Sequence, residues 1–304
     1  MYGWQTKMSK STKIKQNPLV TIGIYSALIF FLLFTMIPFY VVIAQSITPY
    51  DEYSSVMEFI ALPMNISFSG FSHLFTCELN MIENWLVFDN VNRIILGYYN
   101  MFWQSIPKVI INLFVSGLAG YAYCKMNFAA RKVMFSIQIS TMMFPLGTLT
   151  IPTLIFYETI GWSGSVLPLI IPGLLGGTST IFFLKQFFEG IPTEIIEAAR
   201  IDGLGEIGIY FKIMLPLSMP AFMSQFILSF IGAYNSYLGP LLYLGTQSEL
   251  YPLQLVIQTL TTPWGKTGPF TASVVVFSLI PIIVIYLFGQ KFFIGGLTSG
   301  AVKG

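Results

Sequence analysis

Long apolar runs separated by short polar segments organise the chain from residue 19 onward. A helix needs about 20 apolar residues to cross roughly 30 Å of hydrocarbon, and the runs have that length. The pattern therefore predicts an all-α integral membrane protein with six transmembrane helices, at residues 19–47, 101–124, 133–157, 166–183, 217–244 and 270–293. Prolines recur inside these runs, which bilayer helices tolerate where neighbouring helices or cavity water satisfy the freed carbonyls.

Composition supports the membrane assignment and narrows the class of transporter. Of the 304 residues, 55% are hydrophobic and 9% are charged, whereas soluble domains carry roughly a quarter charged residues. No lysine, arginine, aspartate or glutamate lies in the middle of a predicted span, and Lys108 and Glu158 lie near the outer span ends. Ion-coupled carriers usually keep such groups at depth, so the sequence disfavours a secondary carrier.

Lysine and arginine are distributed unevenly between the two sides of the membrane. With a cytoplasmic amino terminus, twelve of them lie inside and three outside, as the positive-inside rule requires. The inside set is Lys7, Lys10, Lys13, Lys15, Lys125, Arg131, Lys132, Lys185, Arg200, Lys212, Lys291 and Lys303, and the outside set is Arg93, Lys108 and Lys266. We therefore expect both termini in the cytoplasm. The two cysteines, Cys77 and Cys124, then lie on opposite faces and cannot pair.

This topology divides the chain into consecutive parts. The predicted parts are a cytoplasmic segment 1–18, a first transmembrane helix 19–47, an extracytoplasmic loop 48–100, a five-helix core 101–294 with a cytoplasmic loop 190–216, and a cytoplasmic tail 295–304. The outer loop is too long for a simple connector, so we expect it to fold outside the membrane. It holds His73, the only histidine of the chain, so no metal site is predicted.

The loop 190–216 has the sequence of a short helix with defined ends. Pro192 fits the first turn, Thr193 or a neighbour can cap it, and Glu194 favours the positive end of the helix dipole. Gly203 can take the left-handed conformation that ends a helix, and Pro216 is expected to open the next one.

The predicted helix has a surface suited to a protein partner. Ala198 and Ala199 leave a low surface on which another backbone can approach closely, while Ile195, Ile196 and Ile201 supply apolar anchors. An amphipathic helix of this kind suits insertion into a partner's groove.

The same loop carries a family signature. Its spacing of Glu197, Ala198, Ala199, Asp202, Gly203, Ile213, Leu215 and Pro216 resembles the EAA signature of binding-protein-dependent ABC importer permeases. Residues 290–304 resemble the tail of the maltose-type carbohydrate permeases, which narrows the subfamily. Residues 233–241 resemble an aromatic-Asn-x-aromatic-x-x-Pro-Leu stretch of that family, with Tyr234 where tryptophan is usual.

The resemblance implies a type I ABC importer permease fold in the bacterial inner membrane. It implies three kinds of partner besides the bilayer: a second homologous permease, two cytoplasmic ATPase subunits and an extracytoplasmic solute-binding protein. The signature residues would form the ATPase-coupling site, and the tail residues Gly300, Lys303 and Gly304 would reach the ATPase subunits. Because the partners bind and hydrolyse ATP, the resemblance implies a non-enzymatic chain with no cofactor, no catalytic residues and no nucleic acid partner.

The cargo is the least determined feature of the sequence. Tyr234, Asn235 and Tyr237 are candidate substrate-path residues, because aromatic faces stack on sugar rings and amides bond hydroxyls. Aromatic residues in spans such as Tyr121 serve equally well in core packing or at the membrane interface. A carbohydrate is therefore expected from the resemblance, with oligosaccharide, monosaccharide and glycerol-phosphate cargo all open. An ion-coupled secondary carrier and a non-transporting scaffold or membrane enzyme are the alternative functions.

Overall fold

The computed structural model describes residues 18–49, 65–76, 87–88, 91–261 and 268–301. The first half contains helices α1 (Pro18–Ser46), α2 (Ser69–Thr76), α3 (Arg93–Lys125), α4 (Arg131–Thr141), α5 (Thr150–Thr159), α6 (Leu167–Leu174) and α7 (Thr178–Glu189). The second half contains α8 (Thr193–Ile201), α9 (Glu206–Ile209), α10 (Leu215–Leu217), α11 (Met219–Tyr234), α12 (Leu238–Leu244), α13 (Leu253–Thr261) and α14 (Gly268–Ala301).

Shorter elements connect these helices. Two-residue strands β1 (Val87–Phe88) and β2 (Val91–Asn92) pair antiparallel just before α3. Single 3-10 turns occupy Leu146–Leu149 and Ser248–Leu250, and a π-helical segment, Tyr210–Met214, joins α9 to α10. In the predicted outer loop, the described α2 packs against α14 and buries Leu74. Cys77 lies outside the described residues.

Among the described residues, four helical segments are long and apolar enough to cross a membrane. They are Pro18–Ser46, Arg93–Lys125, Leu167–Glu189, which comprises α6 and α7, and Gly268–Phe292. A fifth candidate combines Glu206–Leu217 with Met219–Tyr234, which bend by 76° relative to each other. The number of six spans stays a prediction.

Breaks divide the third, fourth and fifth predicted spans, each of which the sequence predicts as one helix. The breaks fall at 142–149, 175–177 and 235–237. In the first of them, Pro145 has no backbone N–H to donate, and the residue before a proline avoids the helical conformation. The extended backbone of Pro145 itself, with φ −67° and ψ 116°, completes the interruption.

Helix α3 is the centre of the bundle. It contacts α6, α7, α11 and α13. It begins at Arg93, eight residues before the predicted start at 101, and so extends beyond the most apolar part of its sequence. Asn112 Nδ2 donates to the carbonyl of Gly173 at 2.8 Å, and the N–H of Gly177 donates to Ser116 Oγ at 3.0 Å. These bonds satisfy backbone groups that the break between α6 and α7 leaves free, which lipid cannot do.

The apolar side chains form two cores, one at each end of the bundle. The first, which we name the loop-side core, contains Val109, Leu113, Tyr121, Leu184, Phe188, Ile191, Ile196, Ala199, Ile209, Tyr210, Met214, Ala221 and Phe222. The second contains Leu74, Ile94, Met101, Phe230, Tyr234, Leu253, Val256, Ile257, Phe270 and Val274. By contrast, α1 buries only Ala44 and Ser46 along its 29 residues, and most of its other side chains are exposed.

Candidate functional site

The loop 190–216 forms a short helix, α8, with a well-defined end. Its first residue is Thr193, and Pro192 precedes it in an extended conformation with no side-chain cap. The predicted capping by Thr193 is therefore wrong, and Pro192 lies just before the first turn because its ψ of 136° is not helical. Glu194 lies in the first turn and Arg200 in the last, which is the favourable arrangement in the field of the helix dipole.

Gly203 ends α8 in the left-handed conformation, with φ +84°. The N–H of Gly203 donates to the carbonyl of Arg200 and the N–H of Leu204 to that of Ala199, both at 3.0 Å. This pair of bonds is the Schellman motif, which satisfies the last free carbonyls of a helix. The end of the helix thus depends on a residue that tolerates positive φ.

One face of α8 packs into its own subunit. Ile196 and Ala199 are 1% and 4% exposed and belong to the loop-side core. The sequence predicted both on the partner-facing surface, and this is wrong because the three-residue spacing turns them to the interior together.

The opposite edge of α8 is open. Glu197, Ala198, Asp202 and Gly203 are exposed, and Ile201 is 86% exposed. An exposed isoleucine beside acidic and small residues is a surface on which another protein can close without steric obstruction.

Polar contacts fasten α8 at both ends. Before it, Lys125 Nζ donates to the carbonyl of Ile191 at 2.8 Å. After it, Tyr121 Oη donates to Glu206 Oε2 at 2.6 Å, and Arg200 donates to Glu206 Oε1 from Nε at 3.0 Å and from Nη2 at 2.8 Å. We name the second set, Tyr121, Arg200 and Glu206, the carboxylate tie.

The carboxylate tie keeps Glu206 ionised. Its pKa is lowered, first by the hydrogen bond from Tyr121 and then by Arg200, while partial burial opposes the shift. Sequence reasoning missed Glu206. Of the roles weighed for Tyr121, the structure supports core packing, because Tyr121 is 3% exposed and its hydroxyl is bonded to Glu206.

The remaining signature residues lie after the tie. Ile213 and Leu215 are partly buried against the loop-side core, and Pro216 is exposed within α10. Pro216 was expected to open the fifth span, but it does not. The helical path runs on through Pro216 to a bend beside Ser218. A proline leaves the carbonyl four residues earlier unbonded, and the π-helical segment Tyr210–Met214 contains that position.

The candidate substrate-path residues separate into two environments. Tyr234 is 1% exposed and donates from its hydroxyl to the carbonyl of Ser278 at 2.5 Å. It therefore packs in the second core and does not face an open path, contrary to the prediction. Asn235 and Tyr237 are exposed in the break between α11 and α12.

Part of the predicted tail site is outside the described residues. Gly300 lies in α14, which ends at Ala301. Lys303 and Gly304 fall beyond the described part of the chain.

Comparison with known proteins identifies the relatives of this chain. The arabinooligosaccharides transport system permease protein AraQ of Bacillus subtilis (strain 168) is 29% identical over 301 residues, covering 96% of this chain and 100% of AraQ. The polygalacturonan/rhamnogalacturonan transport system permease protein YtcP of the same organism is 29% identical over 304 residues, covering 95% and 100%.

A solved structure has the same fold. It is a chain in the crystal structure of a bacterial ABC transporter involved in the import of the acidic polysaccharide alginate, with a TM-score of 0.76 at 24% identity, covering 93% of this chain and 100% of that one. The family described as binding-protein-dependent transport system inner membrane component matches residues 91–298. This multi-pass membrane chain therefore belongs to the family of binding-protein-dependent transport system inner membrane components.

Proposed function

We propose that this chain is a non-enzymatic permease subunit of an ATP-driven carbohydrate importer. It forms the path with a second, homologous permease subunit. An extracytoplasmic solute-binding protein delivers the cargo, and two cytoplasmic ATPase subunits bind and hydrolyse the ATP. The family membership supports this assembly, and the two-sided α8 is the observation that carries the mechanism.

The exposed edge of α8 is the ATPase-coupling surface in this proposal. Glu197, Ala198, Ile201 and Asp202 lie along it, and Gly203 ends it. An ATPase cleft that closes on these residues gains apolar contact from Ile201 and charge contacts from the two carboxylates. The tail around Gly300, Lys303 and Gly304 supplies a second contact to the ATPase subunits.

The buried side of α8 explains why its displacement moves the membrane helices. Pulling the side chain of Ile196 out of the core costs about 1.5–3 kcal/mol, and each intramolecular hydrogen bond adds about 1 kcal/mol. The segment therefore moves with α3 and α7 as a unit. Such rigid-body displacement is how a closing ATPase pair switches a path between inward-facing and outward-facing states.

The orientation follows from where the cations gather. Lys125, Arg131, Lys185 and Arg200 lie around the loop-side end, where Lys125 and Arg131 bond the nearby chain and Lys185 pairs with Glu189. The positive-inside rule makes this end cytoplasmic. We therefore propose six membrane spans with both termini in the cytoplasm. In this topology each of the broken segments 131–159 and 167–189 crosses the membrane once.

The cargo in this proposal is a carbohydrate. AraQ and YtcP bear names of oligosaccharide and polysaccharide transport systems, and the exposed Asn235 and Tyr237 offer an amide and an aromatic ring at a helix break. Glycerol-phosphate cargo is the alternative that substrate screening would separate.

A pair of glycine variants tests the coupling surface. Gly203→Val places a β-branched residue at φ +84°, whereas Gly205→Val adds the same atoms at φ −73°, and an added Cβ meets nothing within 4 Å at either position. We expect Gly203→Val to abolish uptake and ATPase docking with normal membrane insertion, while Gly205→Val retains both. Glu197→Lys is expected to act like Gly203→Val. Normal uptake by both Gly203→Val and Glu197→Lys would contradict the proposal.

A further inference from the structure

Lys108 lies near the middle of α3, which begins at Arg93, before the predicted span 101–124. With 1.5 Å of rise per residue, it lies about 22 Å from Arg93 and about 26 Å from Lys125 along the helix axis. The second distance is less than the roughly 30 Å thickness of the hydrocarbon layer. A helix that enters the bilayer at Lys125 therefore places Lys108 within about 4 Å of the outer boundary of that layer.

The structure provides a fitted place for the Lys108 side chain. A Cβ added at Gly173 would lie 2.6 Å from Lys108 Cε, 2.8 Å from Cγ and 3.1 Å from Cδ. Because residue 173 is glycine, the aliphatic stem lies directly against the backbone of α6, and a Cβ there would displace the stem. The side chain is thus held toward the protein by α6, which argues against its extending freely into lipid.

The ammonium of Lys108 has no partner in the described part of the chain. The ion pairs there, Lys185–Glu189 and Arg200–Glu206, both lie near the loop-side end. Asn112 and Ser116, one and two turns along α3, bond the backbone at the break between α6 and α7. The Lys108 residue is partly exposed, so the described residues do not enclose it completely.

An ammonium just inside the hydrocarbon layer, with no counter-charge among the described residues, carries a desolvation cost and marks a candidate functional position. We propose that Lys108 is a cationic subsite for cargo, and that the cargo is a carbohydrate bearing carboxylate groups. This inference rests on the proposed function, since the carboxylate of a passing uronate supplies the counter-charge that the described residues do not. Lysine acts there as a point charge on a long stem, which can follow a moving anion.

The test uses the complete complex reconstituted in liposomes with its partner permease, ATPase subunits and binding protein. The probes are trigalacturonate, neutral arabinotriose and glycerol 3-phosphate, each radiolabelled. Lys108→Gln should lower kcat/KM for trigalacturonate uptake at least about tenfold, the loss expected for one hydrogen bond to a charged group. Lys108→Arg should retain most of the activity, and uptake of arabinotriose should be unchanged in both.

A second variant moves the lysine without removing its charge. Gly173→Ala should displace the Lys108 stem and reduce trigalacturonate uptake selectively. Gly232→Ala is the matched control, because a Cβ at that helical glycine meets nothing within 4 Å, and it should behave as wild type.

The outcomes separate this inference from the proposed function. ATP-dependent uptake of arabinotriose alone would overturn the inference and leave the proposed function standing. Equal losses for acidic and neutral probes in Lys108→Gln would overturn it by showing a packing role, and a Lys108 dependence confined to glycerol 3-phosphate would overturn the carboxylate assignment. Absence of ATP-dependent uptake for all three probes in the wild-type complex would overturn both.

Discussion

Replacing Glu206 with glutamine should uncouple α8 from α3 without disturbing the bilayer helices. The carboxylate accepts from Tyr121 at one oxygen and from Arg200 at the other. A glutamine amide has a single acceptor oxygen and a donor NH₂ group. If the amide oxygen turns to Tyr121, the NH₂ group faces the Arg200 donors and that bond is lost. If the oxygen turns to Arg200, the NH₂ group can donate to Tyr121 Oη, but the Tyr121 hydroxyl proton loses its acceptor.

The size of the effect depends on which partner loses its bond. The Tyr121 hydroxyl belongs to a residue that is 3% exposed, and a buried donor without an acceptor costs about 1–3 kcal/mol. The Arg200 and Glu206 side chains are 42% and 38% exposed, so solvent screening reduces that pair to about 0–1 kcal/mol. We therefore expect docking of the α8–α9 junction to weaken by about 1–3 kcal/mol, roughly 5- to 150-fold.

Two measurements detect this loss. Hydrogen exchange at the amides of Gly203 and Leu204 should accelerate within the same range, because their bonds to α8 open with the junction. In the proposed function, ATPase closure would then move a loosely attached helix, so uptake per ATP hydrolysed by the reconstituted complex should fall. Glu189→Gln is the matched control, since it removes a charge from an i,i+4 pair whose Glu189 side chain is 45% exposed and which contributes little.

A double-mutant cycle gives the decisive comparison. Tyr121→Phe removes the same bond from the other side, so the two changes together should cost clearly less than the sum of the single changes. Additive effects, or unchanged exchange and unchanged uptake per ATP in Glu206→Gln, would refute the carboxylate tie as the connection between α8 and α3.

The pH dependence of the tie has a definite sign. The pKa of Glu206 is lowered in the folded protein by Tyr121 first and Arg200 next. The stabilisation is therefore present above the ordinary carboxyl pKa and is lost as the pH falls through the lower, folded-state value. Between pH 6 and 8 the protection of the Gly203 amide, which is its exchange rate relative to the intrinsic base-catalysed rate at each pH, should stay constant, and a marked change in protection would contradict the assignment.

Two further substitutions probe packing around the same site. Ile196→Ala should destabilise the loop-side core by about 2–5 kcal/mol, measured as a lower melting temperature in detergent. Ile201→Ala should leave the melting temperature unchanged and weaken only ATPase binding, since Ile201 is 86% exposed. Equal losses in melting temperature would contradict the assignment of a buried and an exposed face to α8. Gly117→Ala should cost about 1–3 kcal/mol by overpacking, because the new Cβ would lie 2.4 Å from Tyr210 Oη and 2.6 Å from Phe222 Cζ, and unchanged melting would show that these rings can move.

Local sequence signals predicted the features that local physics determines. The apolar runs locate the membrane-embedded segments because bilayer thickness sets their length. Gly203 marks the end of α8 because few other residues tolerate its φ. The breaks inside the runs are harder to predict, because a membrane helix can either accommodate a proline or break near it. The outcome depends on neighbouring side chains such as Asn112 and Ser116, which bond the free backbone groups at the break between α6 and α7.

The two faces of α8 show where local signals end. Ile195, Ile196 and Ile201 are chemically equivalent in the sequence, yet their exposures are 41%, 1% and 86%. The difference arises because Ile196 alone belongs to the loop-side core, together with Leu184, Phe188 and Tyr210. These three residues lie outside α8, so the sequence of α8 itself does not reveal the contact. A nine-residue helix has too few positions for its periodicity alone to decide which apolar stripe turns inward.

The positions of Tyr121 and Lys125 explain how α8 is connected to the membrane region. They are four residues apart, so they project from one face of α3, where Tyr121 contacts the chain after α8 and Lys125 the chain before it. Both ends of α8 are thus fastened to the last turn of one membrane helix, in addition to the covalent connection to α7. A displacement imposed on α8 must therefore be transmitted to α3, the same continuous helix that carries Lys108 about 26 Å away. If Lys108 holds the anionic group of the cargo, ATPase closure and the release of that group depend on the movement of a single helix, and variants at Glu206 and Lys108 should show non-additive effects on uptake.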